Sequence, residues 1–273
     1  MNEIKQQGSS RIALGVEYDG SCFCGWQMQS HGTRTVQHEV EQALSRVADH
    51  RVQVVCAGRT DTGVHATGQV VHFDTHASRK LKAWIMGVNA HLPKDVCVHW
   101  AKQVNADFNA RFSATRRSYR YVIQQRAARP ALYSHRVTWV HHQLDTNAMH
   151  TAAQALLGEN DFSSFRSSAC QSKHAMRCVE SIDVTAESGF VYIDIRANAF
   201  LHHMVRNIVG SLLKVGCGDQ PVAWIAELLA LKDRNQAGPT APAEGLYLVD
   251  VQYPPEYDLA LSGLLPWFGT GAG

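Results

Sequence analysis

The chain has little charge. Acidic and basic residues make up 18% of its 273 positions, while 45% are apolar; the usual charged share is about a quarter. This composition excludes a disordered, charge-rich segment and provides a normal core for one large domain or two modest ones. A bias in the sign of the charge is also missing. The 26 basic and 24 acidic residues leave +2, which by itself does not mark a nucleic-acid binder. The 15 histidines allow more positive charge near phosphates or at lower pH. No apolar run approaches the ~18 residues that cross a bilayer. Residues 1–10 are polar and lack the apolar core of a signal peptide. A cytoplasmic protein is expected. Cys22 and Cys24 form a CxC without a second pair at zinc-finger spacing, and Cys56, Cys97, Cys170, Cys178 and Cys217 are scattered. They read as reduced thiols, and no metal site is expected. Low complexity is absent until the Gly-rich end, Gly269 to Gly273, where a mobile tail is expected.

What is present is an orderly alternation of strand and helix patterns. Arg11 to Tyr18 alternates and meets the turn pair Asp19-Gly20. Thr35 stands where a helix cap belongs, ahead of Val36, Val40, Ala43, Leu44 and Val47 on one helical face. Apolar runs at Val52–Val55 and at Val70, Val71 and Phe73 flank a polar turn. A helix near Leu81 to Asn89 and a strand over Val96 to Val104 complete a β-α-β-β-α-β order. The second half repeats it. Ser118 to Gln124 reads as a strand, and Asp145 caps a helix with Met149, Ala152, Ala153, Leu156 and Leu157 inward. Strands Val179–Val184 and Phe190–Ala197 flank the hairpin pair Ser188-Gly189. Met204, Val205, Ile208, Val209 and Leu212 form a helical stripe, a further helix runs over Val222–Leu231, and the last strand is Leu246–Gln252. The expected fold is α+β: two similar split-βαβ, ferredoxin-like halves. Residues 1–112 and 113–273 are expected to form them, joined into one large, mostly antiparallel sheet flanked by helices, with a cleft between the halves.

Chemistry concentrates in Cys56-Ala57-Gly58-Arg59-Thr60-Asp61-Thr62-Gly63-Val64-His65-Ala66, a strand–turn–strand segment with glycine at both ends of its turn. An Asp in such a turn often serves only the turn's own hydrogen bonds. Asp61-Thr62-Gly63 also matches the core triplet of aspartic proteases. Those enzymes need two carboxylates sharing a proton. The chain has one such triplet, and Arg59 beside it favours the ionised form. Arg206 lies in His202-His203-Met204-Val205-Arg206-Asn207, at the start of an apolar helix. It reads either as a snorkelling surface arginine or as the partner that keeps a buried Asp61 charged. An ionised, oriented carboxylate can act as a nucleophile. Arg111 to Tyr121 is the densest basic and aromatic segment. It reads as a core strand with a solvated edge or as a surface for phosphates and stacked bases. Arg126, Arg129 and the loop Gln171-Ser172-Lys173-His174 extend the basic surface.

Taken together, these segments resemble the tRNA pseudouridine synthase A family. The resemblance rests on Glu17-Tyr18-Asp19-Gly20-Ser21, Gly25-Trp26-Gln27, Gly58 to Ala66, Asn89 with Leu92-Pro93, and Phe108-Asn109-Ala110-Arg111. It continues through Arg117-Ser118-Tyr119-Arg120-Tyr121, Phe200 to Asn207, and Ala243 to Leu248, in matching order over residues 11 to 253. It implies isomerisation of uridine to pseudouridine at positions 38, 39 and 40 of the tRNA anticodon stem-loop, by a homodimer without metal or organic cofactor. It places Asp61 on the catalytic aspartate, Arg59 on the arginine of base flipping and Tyr119 on the tyrosine that packs on the uracil. Arg206 falls on the aspartate's basic partner, and Leu246 on an apolar residue beneath the base. It places tRNA contacts at Arg79, at Phe108, Asn109, Ala110, Arg111 and Phe112, at Arg126, and at Ala169, Cys170, Gln171, Ser172 and Lys173. Asp61 would attack C6 of the ring or C1′ of the sugar, or take a 2′ proton on a glycal route. A non-catalytic RNA-binding scaffold of the same fold is the competing reading.

Overall fold

The structure, a computed structural model, describes residues 9–29, 32–259, 265, 266 and 268. The glycine-rich end lies outside them. The chain divides into two units. Residues up to 115 and again from 251 form the first, and residues 116 to 250 form the second with 265, 266 and 268. The sequence pattern put the boundary after Phe112. The difference is that the chain returns to the first unit after its last strand, where Tyr253 Oη donates to the Ala110 carbonyl at 2.7 Å.

In the first unit the order is β1 (Ser10–Tyr18), α1 (Val36–Ala48), β2 (Val55–Cys56), β3 (His65–Thr75), a π-helical turn (Ala83–Gly87) and β4 (Val96–Val104). The strands lie in the order β4-β1-β3-β2, all antiparallel. Strand β1 is central, with Leu14 opposite both Val71 and Ala101. Residues Ile12 to Val16 are buried without alternation, as a strand covered on both faces requires. Helix α1 buries Val36, Val40, Ala43 and Leu44, as its spacing predicts. Thr35 makes no side-chain cap. The Val36 and Gln37 N–H groups instead donate to the Gly25 and Trp26 carbonyls at 3.3 and 3.0 Å, which answers the orphan donors of a helix start.

The second unit repeats the scheme. Its elements are β5 (Arg116–Gln125), β6 (Thr138–Val140), α2 (Thr146–Ala153), β7 (Gly158–Asp161), β8 (Met176–Glu187), β9 (Phe190–Ala197), α3 (Met204–Gly216), α4 (Trp224–Leu231) and β10 (Leu246–Gln252). The order β10-β5-β9-β8-β7 contains the same split-βαβ permutation as β4-β1-β3-β2. The β8–β9 hairpin turns on Ser188 and Gly189 at φ 51° and 81°, the two left-handed positions its sequence predicts. Asp145 caps α2 by accepting from the Ala148 N–H at 2.9 Å. Leu157, expected inward, is exposed, because α2 gives way to a 3-10 turn over Gln154–Leu156. Helix α3 buries its whole expected stripe. It also approaches the chain ahead of β10 so closely that a Cβ on Gly210 would stand 1.7 Å from the Pro239 carbonyl oxygen.

All seven cysteines are free thiols, and only Cys56 is buried, which pushes its thiol up to about 12. Two outcomes test this packing. Gly210→Ala should destabilise the second unit by about 2–3 kcal/mol or more, measured by urea unfolding; wild-type stability would show that the contact relaxes freely. His72 on β3 is buried, and burial, with the charge of Arg11, lowers its imidazole to about 4. The unfolded chain therefore binds more protons between about pH 6.5 and that value. Stability should fall as pH falls through this window, with a shallower slope in His72→Gln; equal slopes would contradict it.

Candidate active site

The segment 57–64 joins β2 to β3, and hydrogen bonds hold its backbone at several points. Ala57 N–H donates to the Val70 carbonyl at 2.8 Å. Gln69, fully buried on β3, bonds both polar groups of Gly58: Oε1 accepts from its N–H at 3.3 Å and Nε2 donates to its carbonyl at 2.6 Å. Thr60 is held twice, by the Tyr18 hydroxyl on its Oγ1 at 2.7 Å and by the Trp26 N–H on its carbonyl at 3.0 Å. A 3.1 Å bond from Val64 N–H to the Asp61 carbonyl closes the turn. Of the two flanking glycines, Gly63 alone adopts positive φ. Across from the loop, Gly25 sits at φ +86°, where a Cβ would meet the Thr60 carbonyl oxygen at 2.8 Å. Glycine is required there both by conformation and by space.

The neighbouring segment is braced in turn. Arg34 grips Asp95 through two bonds of 2.8 and 2.9 Å and lies 4.1 Å over the Phe23 ring. His65 Nδ1 lies 3.0 Å from the Gly20 N–H and 3.3 Å from Asp19 Oδ1. His65, and then the Ser21 hydroxyl and amide, hold the Asp19 carboxyl well below the usual carboxylate range. On this frame Arg59 is exposed and Asp61 half-buried.

The second unit carries the other expected site residues. Tyr119 lies on β5, buried, with its ring edge-on to Phe200 at 5.0 Å. Arg206 is half-buried on the first turn of α3, where Nε donates to the Ala241 carbonyl at 2.8 Å and its own carbonyl accepts from the Ala241 N–H. Leu246 opens β10 and is buried. The segment between α4 and β10 is pinned through Asn207, which is fully buried. Its Nδ2 donates to the Phe165 carbonyl, and its Oδ1 accepts from Thr240 at 2.7 Å and Arg234 at 3.1 Å. Gln69 and Arg234 escaped the sequence reading, and Tyr18 and Asn207 entered it only as members of longer motifs, with no role of their own. They lie in ordinary strand, helix and loop positions, and only the fold shows what they bond.

The expected peripheral contacts divide. Arg79, Arg111, Phe112, Arg126, Ala169, Gln171 and Lys173 are exposed, and Arg111 lies over the Phe112 ring at 5.3 Å. Phe108 and Ala110 are wholly buried, with Phe108 against His72, Tyr253 and Tyr257. Their side chains support the turn from beneath, because an apolar side chain so enclosed has no surface to offer. Asn109 fixes the same turn by accepting from the Arg111 and Phe112 N–H groups. In the 169–173 loop, Arg166 donates to the Cys170 and Ser172 carbonyls and Arg177 to the Ser172 hydroxyl. Arg120, counted among the basic residues, is neutralised by a two-bond pair with Asp194 across the strands, and Arg116 pairs with Glu180.

The family model described as tRNA pseudouridine synthase matches residues 15–113 and 152–254. A tRNA pseudouridine synthase A of Klebsiella pneumoniae (strain 342) is 59% identical over 268 residues, covering 98% of this chain and 99% of the relative. One of Shewanella sp. (strain ANA-3) is 59% identical over 258 residues, covering 94% and 98%. Among solved structures, the crystal structure of a Cbf5-Nop10-Gar1 complex aligns with 87% of this chain and 48% of that chain, at 11% identity and a TM-score of 0.36.

Replacing Gln69 by Leu keeps its bulk and removes both bonds to Gly58. Loss of a buried bond costs about 1–3 kcal/mol. Amide hydrogen exchange in segment 57–64 should therefore quicken roughly tenfold or more while α1 and the second unit stay protected. Unchanged exchange in the segment would contradict the clamp.

Proposed function

Because the chain belongs to the tRNA pseudouridine synthase family, we propose that it isomerises uridines 38, 39 and 40 in the anticodon stem-loop of tRNA, with Asp61 as the catalytic residue. The observation that carries this is the clamped loop of the first unit, which presents Asp61 and Arg59 on a braced backbone. The protein is an isomerase of tRNA uridine. In the reaction the N1–C1′ bond breaks, the uracil turns, and a C5–C1′ bond forms. The proton lost from C5 is balanced by one gained at N1, so the product has the mass of the substrate.

Each residue has a place in that sequence. The target base must leave its stack, at a cost of a few kcal/mol; Arg59 takes the vacated space and holds phosphate. Tyr119 packs on the uracil. Leu246 excludes water, which would otherwise divert the broken bond to free uracil. Asp61 supplies the anion on which the bond exchange depends, and Arg206 is its basic partner. Arg79, Asn109, Arg111, Phe112, Arg126 and the 169–173 loop contact the tRNA, with Phe108 and Ala110 as the buried base of their turn. The protein works in the cytoplasm as a homodimer, with one tRNA touching both subunits, and without metal or organic cofactor. The near-neutral net charge agrees with this, since a local basic surface acts on a polyanion whatever the sum over the molecule. Among the described residues no helix is long and apolar enough to cross a membrane.

The test is pseudouridine mapping by carbodiimide-dependent reverse-transcription stops on unmodified tRNA. Wild-type protein should produce stops at 38–40. Asp61→Ala and Asp61→Asn should lose the product by at least about 100-fold and still bind tRNA. Normal turnover by Asp61→Asn would refute the anion, and an inactive wild type that binds tRNA would leave the scaffold reading. Affinity should also fall log-linearly with salt; a flat response would contradict the basic surface.

A further inference from the structure

We propose that a hollow on β2 and β3, beside the catalytic loop, is an additional RNA subsite that holds one ribose–phosphate unit of the substrate through Arg51, Gln53 and His72. This rests on the tRNA reading above. The hollow has a volume of about 460 Å³ and is lined by Arg51, Gln53, Val55, His72, Phe73 and Asp74, within the usual range for ligand sites of about 300–1,000 Å³.

Its donors are unspent. Arg51 and Gln53 are exposed, and their side chains bond no described residue. His72 is only 4% exposed. Its Nδ1 accepts from the Ala110 N–H at 3.0 Å, so the ring proton sits on Nε2. Among the described residues Nε2 has no hydrogen-bond partner, and His72 is one of the residues that line the hollow. Nε2 is not among the enclosed polar atoms that lack a partner, so its N–H is open to an acceptor on a ligand. The imidazole stays neutral at physiological pH and serves as a donor rather than a cation. The one acid of the lining is already matched: both Asp74 oxygens accept from Arg11, at 2.7 Å each.

What remains is a guanidinium, an amide and an imidazole N–H around a small hollow, a set suited to phosphate oxygens. Val55, 39% exposed, gives an apolar floor for the sugar. Position argues for RNA over a free anion. Strand β2 runs directly into the loop that carries Arg59 and Asp61. The Ala110 N–H that fixes His72 belongs to the turn that exposes Arg111 and Phe112. The charges of Arg59 and Arg111 both reach Cys56, next to Val55. A strand seated at the catalytic loop and on that turn would pass over the hollow.

Arg51→Glu and Gln53→Glu, singly and together, test this without touching the catalytic residues or the buried imidazole. Binding of unmodified tRNA by fluorescence anisotropy over a salt series, and pseudouridine formation at saturating tRNA, are measured on the same preparations. The double variant should raise Kd roughly tenfold and reduce the salt slope by about one, with turnover at saturation within twofold of wild type. An RNA of the same shape with no uridine in its loop should lose affinity equally, as a backbone contact requires. Unchanged Kd and slope with an active wild type would overturn the subsite alone. A loss confined to the uridine-bearing RNA would overturn the backbone contact. A wild type that neither binds nor modifies tRNA would overturn the underlying function and the subsite with it.

Discussion

The structure depends on a short piece of backbone being unable to move. Gln69 bonds both polar groups of Gly58 while Tyr18 and Trp26 bond Thr60. Arg59 and Asp61 are thereby carried on residues fixed from each side. A loop free to sample conformations would spend most of its time with the carboxylate misplaced, and a misplacement of about 1 Å can cost 100-fold in rate. Gln69 is fully enclosed and the Tyr18–Thr60 bond is buried, so leaving their polar groups unmatched is costly.

The clamp is possible because of where β3 lies. It is an inner strand of its unit, paired with β1 on one side and with β2 on the other, so Gln69 is surrounded and fully enclosed. The second unit uses the same permutation to a different end. There β5 is the inner strand that places Tyr119, while α3 and the segment pinned through Asn207 place Arg206 and Leu246. One folding scheme, used twice, supplies a rigid loop in one unit and a buried apolar and basic set in the other.

Much of this was legible in the sequence. Helices α1 and α3 emerged with their expected stripes buried, Val47 alone being half-buried, because burial on one face enforces a helical period; β5 and β9 emerged as strands where expected, but their centres are buried through consecutive residues and not in alternation. The segment of Arg59 and Asp61 stood out because it sets glycines, an acid and an arginine between two apolar runs. The strands β6 and β7 did not, being three and four residues long, too short to show a period. Thr35 looked like a cap until the fold supplied the Gly25 and Trp26 carbonyls in its place. The family resemblance put an RNA contact at Phe108; its burial follows from Tyr253 and Tyr257, which return from the far end of the chain. No local reading anticipates a partner more than a hundred residues away.

The most direct measurement of the central claim is the single-turnover rate of pseudouridine formation by Gln69→Leu, with tRNA saturating. If the clamp positions Asp61, the rate should fall by about 10- to 100-fold while tRNA affinity stays within about twofold. A wild-type rate in Gln69→Leu would show that the aspartate finds its place without the clamp.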